Sequence, residues 1–69
     1  MAEQKFDSYL KDARLRKGLS QEELARQANV SKETIRNIEK GLSIPNVLLA
    51  IGLGALLGVA VTELFMERG

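Results

Sequence analysis

Sixty-nine residues with ten Lys or Arg, nine Asp or Glu, no Cys and no His are expected to form one small domain over 1–69. A chain of this size buries only about 60% of its unfolded surface, so its stability margin is thin. The lack of cysteine excludes disulfides and thiolate zinc sites, and the lack of histidine removes the commonest general base and metal ligand. Composition therefore points away from an enzyme and from any metal or cofactor, and nothing in the sequence marks a small-molecule site.

Residues 1–41 hold nine of the ten cations and seven of the nine anions, whereas residues 42–62 carry no charge. The polar start Met1-Ala2-Glu3-Gln4-Lys5 is unlike a secretory signal, so a cytoplasmic location is expected. No run alternates with period two, so no strand is expected. Phe6, Leu10 and Ala13 repeat at i, i+4 and i+7 ahead of Arg16-Lys17-Gly18. That predicts a first helix over about 4–17 with a glycine C-cap. Ser20-Gln21-Glu22-Glu23 is a capping box, which opens a second helix over about 21–28. Leu24, Ala25 and Ala28 face inward on it. Asn29 suits a left-handed turn, and Ser31 is the N-cap of a third helix over about 32–40, ended by Gly41. Pro45 and Asn46 begin a fourth over about 46–57, closed by Gly58, and a short fifth covers about 61–67. The expected class is all-α, five short helices with tight connections.

The second and third helices, joined by about three residues, have the geometry of a helix-turn-helix over about 21–40. Ala25 is small where the helices cross, and Val30, Ile35 and Ile38 fill the space between them. The run Gly18-Leu19-Ser20-Gln21-Glu22-Glu23-Leu24-Ala25, then Val30-Ser31, Thr34-Ile35, Ile38-Glu39 and Gly41, resembles the phage repressor and Cro-like helix-turn-helix regulators of the xenobiotic-response-element type. The resemblance continues through Pro45, Leu57-Gly58-Val59 and Glu63-Leu64-Phe65. It implies a lambda-repressor-like five-helix fold and binding of double-stranded DNA. It also implies transcriptional regulation, most often by a homodimer acting as a repressor. Finally, it implies a partly buried ion pair between Arg14 and Glu39 that joins the first helix to the third.

Each helical residue advances about 100°. With Ile35 and Ile38 inward, Glu33, Arg36, Asn37 and Lys40 point outward, with Lys32 at the edge. On an ordinary helix this is a solvated face; in a helix-turn-helix it lies in the major groove. Arg36 or Lys32 can donate to guanine O6 and N7, and Asn37 can pair with adenine N6 and N7. Glu33 either accepts from cytosine N4 or tunes specificity. Gln21, at the start of the second helix, suits a phosphate or a base, and Ser31, Thr34 and Lys40 can reach the backbone. Capping is the main energetic role of Ser20 and Ser31. The uncharged loop Leu42-Ser43-Ile44 departs from the family, where cations meet phosphates, and weakens the non-specific grip.

The fourth helix is apolar all round, and such a helix is buried in something. Leu48, Leu49, Gly52 and Ala55 stand where the family is typically polar. Three readings compete: a homodimer interface, a sticky surface without a role, or entry of Val47 to Val61 into a membrane. Fifteen residues rise about 22 Å, short of the roughly 30 Å of a bilayer core. Ala50, Gly54 and Gly58 form a small-xxx-small ladder suited to close helix contact. The expected dimer interface is Leu48, Leu49, Val61, Leu64 and Phe65, with capping of the monomer core as the other reading of Leu64 and Phe65. The alternative is an adaptor that keeps the scaffold and uses its fourth and fifth helices to bind a protein partner or a membrane.

Overall fold

The computed structural model describes residues 6–67. Its elements are β1 (Phe6–Ser8), α1 (Leu10–Arg16), α2 (Gln21–Ala28), α3 (Lys32–Glu39), α4 (Val47–Leu57), α5 (Val61–Leu64) and β2 (Phe65–Glu67). Each turn of the middle three helices is closed by the group its sequence offers. The Ser20 hydroxyl accepts from Glu23 N–H at 3.0 Å and the Glu23 carboxylate accepts from Ser20 N–H at 2.9 Å, a complete capping box. Asn29 ends α2 in the left-handed conformation (φ 60°, ψ 42°), and Val30 N–H then donates back to Ala25 O at 2.9 Å. Ser31 caps α3 by accepting from Thr34 N–H at 3.1 Å. Asn46 Oδ1 caps α4 by accepting from Leu49 N–H at 2.8 Å.

The two ends depart from the sequence expectation. No helix covers 6–9; instead β1 pairs antiparallel with β2, Phe6 opposite Glu67 and Ser8 opposite Phe65. Residues 4 and 5 of the expected first helix lie outside the described residues. The expected fifth helix stops at Leu64, because Phe65 turns extended (φ −132°, ψ 126°). Tyr9 N–H donates to Leu64 O at 2.7 Å, and the Phe6 and Phe65 rings meet edge to face with centroids 5.6 Å apart. A lone two-stranded ribbon is marginal in water; this one is held by the aromatic contact, worth about 0.5–1.5 kcal/mol beyond burial, and by the core beneath Phe6. The fold remains predominantly helical.

Leu10, Leu24, Ile35, Ile38, Leu53 and Leu64 are fully buried and draw all five helices around one core. α4 contributes Ala50, Leu53, Gly54 and Leu57 to the buried side. The small-residue ladder is thus spent mostly inside the molecule: a Cβ on Gly54 would lie 2.8 Å from Val59 O, so glycine is what lets α4 approach the turn into α5. Leu49 is half-buried against the core and Leu64 is 1% exposed. Leu64 thus takes the core role rather than the expected interface one, and Leu49 keeps only part of its surface for a second copy. Leu64 closes the core, since α5 folds back over α4, and Leu49 sits on the inward flank of α4's first turn.

Candidate nucleic-acid interface

α3 is positioned by its two neighbours. Ile35 and Ile38, fully buried, fix its inner side against α2, where Ala25 is also buried. What is left outward is Lys32, Glu33, Arg36 and Lys40, all exposed, with Thr34 and Asn37 half-buried at the margins. Glu33 and Arg36 form an ion pair one turn apart on this face. Hydrogen bonding and charge from Arg36 hold the Glu33 carboxyl below the usual carboxylate range, with smaller contributions from Asn37 and Lys40. Ser31 is exposed and its hydroxyl also lies 2.8 Å from the Thr34 hydroxyl, a bond in which either oxygen can donate.

Beneath this face lies a buried polar network. Arg14 Nε donates to Glu39 Oε2 at 2.6 Å, with side chains only 8% and 5% exposed. Arg14 Nη2 donates to Glu39 Oε1 at 3.4 Å and Nη1 to Leu19 O at 2.8 Å. Gln21 Nε2 donates to the same Glu39 Oε1 at 2.9 Å. An ionised carboxylate only accepts, so the Gln21 amide must turn its NH2 inward. One carboxylate therefore ties α1, the start of α2 and the end of α3 together, and Gln21 is half-buried within that tie. The sequence reading offered Gln21 to a phosphate or a base; its link to Glu39 carried no signal, because residues 18 apart on different helices share no periodicity.

Of the remaining residues singled out from sequence, Leu48 is 81% exposed, while Val61 and Phe65 are half-buried. Sequence reasoning missed Ile44, Val47 and Ile51, which are 70%, 73% and 55% exposed. Within α4, Leu48, Ile51 and Ala55, all exposed, recur at spacings of three and four, a signal present in the sequence, while Ile44 lies in the loop before the helix. Among the described residues no helix is long and apolar enough to cross a membrane, and no acidic cluster could hold a metal ion.

Two short helices crossed at a small residue, the second offering a polar outer face, make a helix-turn-helix unit. The chain belongs to the helix-turn-helix family, whose model matches residues 10–64. It is 39% identical over 57 residues to an HTH-type transcriptional regulator of Methanocaldococcus jannaschii, covering 83% of this chain and 86% of that one. It is 34% identical over 56 residues to the HTH-type transcriptional regulator YgzD of Bacillus subtilis, covering 81% and 85%. Among solved structures it is similar to the restriction-modification controller protein C.AhdI of Aeromonas hydrophila, with a TM-score of 0.71 and 28% identity over 78% of each chain. Family and fold, five helices in the lambda-repressor-like arrangement, are those of DNA-binding transcriptional regulators rather than enzymes.

Proposed function

We propose that this chain binds duplex DNA in a sequence-specific manner and regulates transcription as a cytoplasmic homodimer, most simply as a repressor. The observation that carries the reading is the outer face of α3: Lys32, Glu33, Arg36, Asn37 and Lys40 project from a helix whose other side is locked in the core. In the major groove Arg36 and Lys32 donate to guanine and Asn37 pairs with adenine. Lys40, Ser31, Thr34 and the spare N–H of Gln21 serve the phosphates. The names of the relatives, transcriptional regulators and a controller protein, support the regulatory part.

The homodimer rests on the exposed apolar side of α4. Val47, Leu48 and Ile51 on α4, with Ile44 in the loop before it, are large apolar side chains left exposed, the kind of surface that a two-fold pair would cover. Val61 and Phe65, both half-buried, keep part of their surface for the same contact. A mobility shift with random duplex tests the DNA reading directly. Retardation that weakens steeply between about 50 and 200 mM salt supports it, and no retardation at the lower salt would refute it in favour of the adaptor.

A further inference from the structure

The α3 face contains one group that does not belong in a phosphate-lined groove, the Glu33 carboxylate. A lone carboxylate there meets repulsion from every neighbouring phosphate. Glu33 is not alone: Arg36 Nη2 donates to its Oε1 from one turn further along the helix. Both side chains are largely solvent-facing, at 48% exposed for Arg36 and 60% for Glu33. An exposed pair of this kind adds little to stability, so its consequence lies elsewhere. A guanidinium has five N–H donors in a planar fork. With one Nη2 N–H given to Glu33, the swing of the guanidinium is restrained and its end edge, made of the other Nη2 N–H and Nη1, is left with two parallel donors. That edge matches the O6 and N7 acceptors of guanine. Lys32 and Lys40, which make no ion pair among the described residues, are rotatable point charges without such a plane.

We propose that Glu33 is a positioning residue for base readout: it holds the Arg36 guanidinium in the plane that selects guanine at one base pair of each half-site. The proposal rests on the DNA-binding reading above and specifies what the α3 face recognises. Pairing cancels the carboxylate charge, so Glu33 can enter the groove, and Asn37 beside it is left to read the neighbouring base. Glu33 acts through Arg36 and makes no base contact of its own.

The test is selection of bound sites from one random duplex pool by the full chain and its Glu33→Ala, Glu33→Gln and Arg36→Ala variants. Wild type is expected to enrich guanine at a defined base pair. Arg36→Ala and Glu33→Ala should each reduce the preference by about tenfold, at the same base pair. Glu33→Gln, whose amide oxygen still accepts from Arg36, should retain part of it. Glu33→Ala should also bind random duplex at least as tightly as wild type, since it removes a negative charge; a variant that merely unfolds would weaken on every sequence. If Glu33→Ala instead loses preference at a different base pair, Glu33 reads cytosine itself and the proposal fails. An unchanged selected sequence overturns it too. A wild type that enriches nothing refutes it together with the DNA reading, whereas the first two outcomes leave that reading intact.

Discussion

Arg14 and Glu39 sit where a stranded charge is most expensive, with side chains 8% and 5% exposed. Removing one partner of a buried pair costs about 3–5 kcal/mol, because the other is left uncompensated. Glu39→Ala is therefore expected to lose most of the stability of so small a domain, read as the midpoint of a urea melt; a midpoint close to wild type would mean that water reaches the pair. The residues proposed for the groove are expected to behave differently. Asn37→Ala should lose about 1–3 kcal/mol on the best site and relax the choice at one base pair, whereas Lys40→Ala should weaken all sequences alike and flatten the salt slope by about one. Identical behaviour of the two variants would place the recognition face elsewhere. At this scale the sequence was legible where one helix decides the outcome: the outward set on α3 follows from 100° per residue. It was silent where two helices decide it. Arg14 and Glu39 are 25 residues apart, and only the family resemblance implied their contact.

Caps and turns are the elements' own grammar, and they were the most legible part of the chain. The boundaries of α2, α3 and α4 follow from Ser20, Asn29, Ser31, Asn46 and Gly58, whose side chains or positive φ the structure uses as caps. The capping box also makes a pH prediction. The backbone N–H and hydroxyl of Ser20 hold the Glu23 carboxyl below the usual carboxylate range. A carboxyl depressed in the folded state stabilises fully above its unfolded value and loses that contribution as pH falls through the folded one. Acid melts of wild type should decline through that window, and Glu23→Gln, which keeps an acceptor at the same place, should decline less; parallel acid profiles would contradict the box. The ends were misread for a physical reason. Phe6 points inward whether residues 6–8 are helix or strand, so apolar spacing could not separate the two. The ribbon is chosen by Phe65 and the Leu64 carbonyl, which are nearly sixty residues away.

For the whole molecule, the question is what the outer side of α4 meets. The sequence showed that α4 is too apolar for a solvent-facing helix. It could not show which residues the core would take, and the core takes Leu49 in part and Leu64 entirely. Leu48→Glu, at a position 81% exposed, should leave the fold intact and give a monomer by sedimentation, with much weaker binding to the selected site. A wild type that is monomeric at tens of micromolar, both free and on DNA, would remove the dimer. The central claim is that two copies present α3 to successive major grooves. Selection of bound sequences from random duplex tests it most directly. A two-fold symmetric site should be enriched, its half-sites about 10 base pairs apart from centre to centre; a pool unchanged after repeated rounds would contradict it.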